Sequence, residues 1–337
     1  MKKSKRILSF ILASVLACTA LAGCASSTAE VNSGSSNTES TAQNDDKYVV
    51  GICQLVEHVA LDAATEGFKR ALIEELGEDK IEFNFQNAQN DSATCATITN
   101  QFVSDKVDLI MANATPALQA AAAATGDIPI LGTSVTEYGV ALQIENFNGT
   151  VGGNISGTSD LAPLDEQAAM IKEWFPDAKT VGLLYCSAEA NSQYQVDVIA
   201  EELKKLGINS EMYSFSDSND LSAVCTNAAD KSDVIYVPTD NTVASNVGII
   251  DNICSTANVP VIAGEEGICY GCGVATLSIS YDDLGYTTGK MAAKILKGEA
   301  DIATMPVEYA PAIKKYNADV CDRLGIKPVE GYTAIEK

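Results

Sequence analysis

The sequence predicts an α/β protein whose folded body is built as two similar lobes. Three observations predict it. Short runs rich in β-branched and apolar residues alternate with stretches of helical length. The alternation runs through once and then restarts beyond residue 131. Nearly every β-rich run ends in polar residues. Repeated βαβα patterns of this kind build parallel sheets covered on both faces by helices.

Each element follows from local pattern. Residues 48–55 read as a strand, 60–76 as a helix stopped by Gly77, and 81–86 as a strand. Asp91 is the expected N-cap of a helix reaching residue 104. Residues 107–112 (strand), 116–124 (helix) and 128–131 (strand) complete the first series. The second series is a helix over 164–175, a strand over 180–185, a helix over 192–206 and a strand over 210–215. It continues with a helix over 220–229, a strand over 234–237, a helix over 242–257 and a strand over 260–263. A last unit runs from a strand at 274–279 into a helix at 283–296. The expected partition is 47–157 plus 273–304 for lobe one, and 158–272 plus 305–337 for lobe two.

In open α/β sheets ligands bind beyond the carboxyl ends of the strands. The residues found there are Glu57, His58, the 87–91 stretch, Asn113, Thr115, Thr133 and Ser134 in the first series. The second supplies Ser187, Glu189, Asn191, Ser192, Asp217, Ser218, Asp240, Asn241, Glu265 and Glu266. Such residues also cap helices and turns, so the cluster carries more weight than any member.

The N-terminus is a different object. Lys2, Lys3, Lys5 and Arg6 precede an uncharged apolar run over 7–21, too short to span a bilayer comfortably. Leu21, Ala22, Gly23 and Cys24 close it, so residues 1–23 read as a signal peptide. The cysteine ending resembles a bacterial lipobox, which implies acylation of Cys24. Cys18 offers a weaker match, because cleavage there leaves an apolar remnant. Residues 24–46 are polar and aperiodic, the composition of a disordered tether a few nanometres in reach.

Removing the four Lys and Arg of the leader takes the net charge from −23 to −27. A body this acidic is a poor partner for nucleic acid and is repelled by anionic headgroups, so its membrane link is the lipid. The ten cysteines are scattered apart from Cys18 and Cys24 and the pair Cys269 and Cys272. Cys53, Cys186 and Cys254 sit in apolar runs, where a buried thiol is the default.

The chemistry of enzymes is thinly represented. With one histidine, any Ser–His or Cys–His mechanism must use His58, and there is no Gly-x-Ser-x-Gly elbow. No phosphate loop or His-based zinc set is present, and Gly271-Cys272-Gly273 is only a fragment of a dinucleotide fingerprint. Cys269-Tyr-Gly-Cys272 lies between glycines with a strand after it, outside the helix-start setting of a redox pair. No enzyme activity, cofactor or metal is expected.

Several segments in order carry a family resemblance: Glu57-His58-xx-Leu61-Asp62, Asn87-Ala88-Gln89-x-Asp91, Ala114-Thr115-Pro116-Ala117-x-Gln119-Ala120, Val135-Thr136, Gly157-Thr158-Ser159-Asp160, Glu189-x-Asn191-Ser192 and Pro238-x-Asp240-Asn241. Together with the lipobox they resemble the substrate-binding lipoproteins of ABC transporters, in the group that includes binders of tryptophan and other aromatic amino acids. The resemblance spans roughly residues 47–327. It implies two Rossmann-like lobes joined by a multi-crossing hinge, the type I periplasmic-binding-protein fold. It also implies a monomer that captures a small solute for a permease and ATPase on other chains. Two departures stand out. The family often has proline where this chain has Val59-Ala60, and Asp-Pro where it has Glu137-Tyr138.

A free amino acid needs opposed anchors. Its carboxylate favours a helix N-terminus with hydroxyls, which Asn113 to Pro116 supplies with Thr115 as the expected N-cap and Asn191-Ser192 supplies from lobe two. The ammonium favours a held acid: Asp240, oriented by Asn241, or Asp160, with Glu57 behind. The reverse split between lobes stays open. The expected ligand-binding set is Glu57, Asn113, Thr115, Ser134, Asp160, Glu189, Asn191, Ser192, Asp240 and Asn241. A sugar or nucleoside is the rival ligand. Trp174, in an amphipathic helix end, reads as core, while Tyr138, Tyr185 and Tyr270 are candidate pocket walls. A sensor for a membrane receptor is the rival role.

Overall fold

The computed structural model describes residues 47–336. The leader, Cys24 and the tether fall outside them. The first series is β1 (Tyr48–Gln54), α1 (Val59–Leu76), β2 (Ile81–Asn87), α2 (Ser92–Asp105), β3 (Leu109–Asn113), α3 (Thr115–Ala124), β4 (Ile130–Val135), α4 (Tyr138–Leu142) and β5 (Ile155–Ser159). The second is α5 (Leu164–Trp174), β6 (Thr180–Cys186), α6 (Ala190–Lys205), β7 (Asn209–Phe215), α7 (Ser218–Ala229), β8 (Val234–Val237), α8 (Asn241–Ala244), α9 (Val247–Ala257), β9 (Val261–Ala263) and α10 (Glu266–Cys272). Then come β10 (Ala275–Ser278), α11 (Tyr281–Leu296), β11 (Glu308–Tyr309), β12 (Ile313–Tyr316), α12 (Ala318–Leu324) and β13 (Thr333–Ala334).

Two sheets result. One has the order β11-β5-β4-β3-β1-β2 and is parallel throughout. The other has the order β13-β12-β10-β9-β8-β6-β7, with only the β10–β12 pair antiparallel. Both faces of each sheet are covered, as alternate residues of the buried strands require. Val50 and Ile52 pack with Phe68 and Met291 on one face, while Cys53 packs with Phe102 and Leu118 on the other.

Sheet membership moves the expected partition. β5 stays in the first sheet to Ser159, and β11 returns to it after residue 304. β10, assigned by sequence to lobe one, pairs with β9 and β12 in the second sheet. The chain therefore crosses between lobes at 160–163, 279–280 and 310–312. Which sheet a strand joins depends on long-range pairing, not on its own residues.

Two other expectations change. The helix expected over 242–257 is two helices, because Asn246 leaves helical geometry (φ −132°, ψ 22°) and starts α9 anew. The Cys269–Cys272 segment is itself a short helix, capped by Glu265. Trp174 is core as expected, edge-on to Tyr332 at 5.1 Å. All eight described cysteines are buried and free, with Cys225 and Cys254 Sγ atoms 3.9 Å apart. Burial raises the thiols of Cys269 and Cys272 well above their ordinary value, so this pair is held as inert thiol.

The first lobe depends on an unusually close helix pair. A Cβ at Gly67 would strike the Asp282 carbonyl, and one at Gly285 the Ala64 carbonyl, both inside van der Waals contact. Arg70 adds two bonds to Asp282, of 2.8 and 2.7 Å. This contact sets where α11 begins, and so where the second crossing ends. Gly285→Ala is therefore expected to destabilise the protein by about 1–3 kcal/mol through overpacking, read as a lowered urea midpoint with unchanged slope.

Candidate functional site

The carboxyl ends of β1, β3, β4 and β5 sit side by side, facing those of β6, β8 and β9. At β3 the chain turns directly into α3 through Ala114, whose φ of +95° is strained for a residue with a side chain. That turn makes Ala114 the N-cap, with its own N–H given to the Thr133 carbonyl at 3.0 Å. Thr115, expected at the cap, is instead the first helical residue, and Pro116 follows it. At β4 the register with β5 slips between Gly132 and Val135, and Ser134 takes φ +54°. Bulges of this kind re-aim side chains at strand ends.

The expected residues divide into three groups. The first keeps a buried polar atom with no partner in the protein: Asn113 Oδ1, Thr115 Oγ1, Ser134 Oγ, Asp160 Oδ1 and Asn191 Oδ1. Their other atoms are held. Asn113 Nδ2 donates to the Leu61 carbonyl at 2.8 Å and to Thr65 Oγ1 at 3.0 Å. Tyr281 donates its hydroxyl to Asp160 Oδ2 at 2.9 Å. Asn191 Nδ2 donates to the Thr239 carbonyl at 3.1 Å and to Glu189 Oε2 at 3.2 Å.

The second group is structural. Both oxygens of Asp240 accept backbone N–H groups, from Cys186 at 2.7 Å and Val243 at 2.9 Å, which makes it the cap of α8. Ser192, fully buried, accepts from Asn191 Nδ2 at 3.3 Å. Glu189 is the busiest acceptor of the site. Its Oε2 accepts from Asn241 N (3.1 Å) and Asn241 Nδ2 (2.7 Å), and its Oε1 from Thr242 N (2.9 Å) and Thr242 Oγ1 (2.8 Å). The third group is Glu57 alone, which is exposed and not drawn into the buried cluster.

Residues outside the expected set complete the site. Two bonds cross between lobes: His58 Nε2 to Asn241 Oδ1 at 3.2 Å, and Asn90 Nδ2 to Thr242 Oγ1 at 3.0 Å. Because Glu189 takes the Asn241 amide hydrogens, Asn241 Oδ1 must accept, so His58 carries its proton on Nε2. Burial lowers the imidazole below its ordinary value and keeps it neutral. Asn90 and Thr242 lay beside residues already singled out, but nothing local reveals a partner in the other lobe. Tyr281 had no such signal, since its helix was expected to begin at residue 283.

A cavity of about 10 Å³ lies at the centre, walled by His58, Asp160, Asp240, Asn241, Glu265 and Tyr281 among others. Three buried acids therefore meet here, with no buried lysine or arginine among the described residues. Burial pushes Asp240 up to about 8, with the charge of Glu189 adding to it. Burial lifts Glu265 to about 7 and also raises Asp160, against the hydrogen bonds it accepts.

A family model described as "ABC transporter substrate binding protein" matches residues 49–330. A protein named "Tyrosine-binding protein" from Clostridioides difficile is 40% identical over 315 residues, covering 91% of this chain and 88% of the relative. A Streptococcus pneumoniae ABC domain solved in complex with L-Trp is 32% identical, with a TM-score of 0.81 over 86% of this chain and all of that one. A ligand-free, open substrate-binding protein with adhesive properties from Clostridium difficile is 40% identical over 86% of this chain and 99% of that one, yet has a TM-score of only 0.66.

Two outcomes follow. Each of the three acids has a folded value raised above its unfolded one, so the folded state holds protons that the unfolded chain releases. Their stabilisation is complete below about pH 4 and is lost as pH rises towards about 8, so denaturation midpoints should fall over that window. Glu189→Ala should strand the donors of Asn241 and Thr242 and cost at least about 3 kcal/mol, measured by urea unfolding. A cost near zero would mean that water replaces the carboxylate.

Proposed function

The chain belongs to the ABC transporter substrate-binding protein family and has the type I periplasmic-binding-protein fold, and on that premise we propose that it captures an aromatic α-amino acid between its lobes. The family consists of solute-binding proteins, so the work is capture and release rather than turnover. In this reading, lipid on Cys24 and the polar tether hold the body outside the cytoplasmic membrane, where it serves a permease and ATPase on other chains.

The observation that carries the reading is the set of five unpartnered buried atoms at or just beyond strand ends; three more such atoms, Trp174 Nε1, Ser232 Oγ and Thr276 Oγ1, lie away from those ends. Of the five, three are oxygens that only accept: Asn113 Oδ1, Asp160 Oδ1 and Asn191 Oδ1. An α-ammonium has three N–H donors to give. The other two are the hydroxyls of Thr115 and Ser134, which can donate to a carboxylate beside the N-terminal N–H groups of α3. The buried acids, whose ionisation burial holds back, gain from an ammonium beside them, which favours their charged form. Asp160, anchored by Tyr281 and with its second oxygen unpartnered, takes the ammonium charge. Asp240, Glu189 and Ser192 shape the wall behind it. The relatives named for tyrosine and solved with L-Trp favour an amino acid over the sugar alternative.

The closed arrangement fits capture. The chain matches the L-Trp complex better than the open protein, although it is less identical to the former in sequence. Lobe reorientation at the three crossings accounts for such a pattern.

Residues 47–337 should be stabilised by L-tyrosine or L-tryptophan, by about 2.7 kcal/mol at a hundredfold excess over Kd. Asp160→Asn should weaken binding roughly hundredfold, measured by calorimetry. Binding to the wild type should also release protons, seen as a buffer-dependent enthalpy, because the ammonium pulls the raised carboxyls down. An Asp160→Asn protein with wild-type affinity would remove the ammonium assignment.

A further inference from the structure

Beside the central cavity lies a second, of about 360 Å³. The two share Glu265 and Tyr281 as walls. The larger one is bounded by Val59, Ala60 and Ala63 of α1, from lobe one, and by Tyr270 of α10, from lobe two, with Ile279 of the second crossing between them. At its side stands the ion pair of Glu266 and Lys315, at 2.6 Å, with both side chains about one-third exposed or less.

We infer that this second cavity is the side-chain subsite of the bound amino acid, that it takes an aromatic ring between Val59–Ala63 and Tyr270, and that the Glu266–Lys315 pair reads a phenolic hydroxyl at the end of that ring. The inference rests on the reading of Asp160 as the ammonium anchor.

Four observations carry it. The central cavity has room for no bulky side chain, whereas 360 Å³ lies in the range of small-molecule pockets. Val59, Ala60, Ala63, Tyr270 and Ile279 give it an apolar and aromatic side on which a ring can pack, while charged groups, Glu266 and Lys315 among them, make up much of the rest of the wall. Val59 is 70% exposed and Tyr270 51% exposed, on opposite lobes, so each has apolar surface for a ring to cover. Finally, a phenol both donates and accepts. Glu266 accepts and Lys315 donates, so the pair meets both needs, while phenylalanine leaves them bonded to each other. A ring placed here touches both lobes and the crossing, so its burial favours closure.

The test is calorimetry of L-tyrosine, L-phenylalanine and L-tryptophan with the wild type and four variants. Ala63→Phe, which fills the cavity, should lower affinity for all three by about tenfold or more. Tyr270→Ala, at a half-exposed position that spares the fold, should weaken all three by a smaller factor. Lys315→Met should lower the ratio of tyrosine to phenylalanine affinity by up to about tenfold. Asp160→Asn reports on the underlying reading. Wild-type affinities in both Ala63→Phe and Tyr270→Ala, with binding lost in Asp160→Asn, would overturn the subsite and leave the ammonium site standing. A wild type that binds no amino acid would remove the underlying reading and the subsite with it. An unchanged tyrosine-to-phenylalanine ratio in Lys315→Met would overturn the hydroxyl-reading role.

Discussion

The closed site depends on one buried carboxylate. Glu189 is 4% exposed, and taking its charge out of water is costly unless donors replace the hydration shell. Asn241 and Thr242 replace it with two backbone N–H groups, an amide and a hydroxyl. Those same two residues make the bonds that cross to His58 and Asn90 of the other lobe. An isolated four-residue helix has no stability of its own, so α8 exists because Glu189 and Asp240 together satisfy its first turn. One acid thereby sets the amide orientation of Asn241, the tautomer of His58 and the geometry of lobe contact.

The acids around the central cavity work in the opposite sense. Asp160, Asp240 and Glu265 are buried close together, and among the described residues no lysine or arginine is buried with them. A fold selected for stability alone would pair such groups or replace them. Their burial carries an electrostatic cost that a cationic group at the proposed site would relieve. Tyr281 and the backbone N–H groups bonded to these acids hold them in place without neutralising them. The strained φ at Ala114 and Ser134 belongs to the same pattern, since both lie where strand ends must present polar atoms to the cleft.

Most of the architecture was legible in the sequence because strand–helix alternation is a local property. The runs at 180–185 and 234–237 became β6 and β8 almost unchanged. What was hidden is what depends on distance. The residues of β10 read as a strand, but nothing in them says that β9 and β12 are their neighbours. Glycines around Cys269 and Cys272 disguised a helix that Glu265 caps. The candidate site was legible as a population and not as a set of roles. Asn113, Thr115, Ser134 and Asn191 were picked out by position alone and Asp160 through the family resemblance, and all retain a buried unpartnered atom. Asp240 and Glu189 were picked out by the same rule and proved to be bound up in α8, because an acid after a strand looks the same whether it faces a ligand or caps the next helix.

Hinge and proposed ligand site are joined by a single bond. Asp160 is the first residue of one crossing, and Tyr281 follows directly on another; the hydroxyl of one meets the carboxylate of the other. A charge arriving at Asp160 therefore acts on the segments about which the lobes turn. Tyr281 also opens α11, which is locked against α1 by the close approach at Gly67 and Gly285, so any shift of the second crossing must carry the first lobe as a rigid body. Well-packed interiors do not deform gradually, so this linkage favours two discrete lobe arrangements over a continuum. A permease that distinguishes loaded from empty binding protein needs such a two-state signal, and on the proposed role of Asp160 the Asp160–Tyr281 bond would put the ligand's charge at its origin.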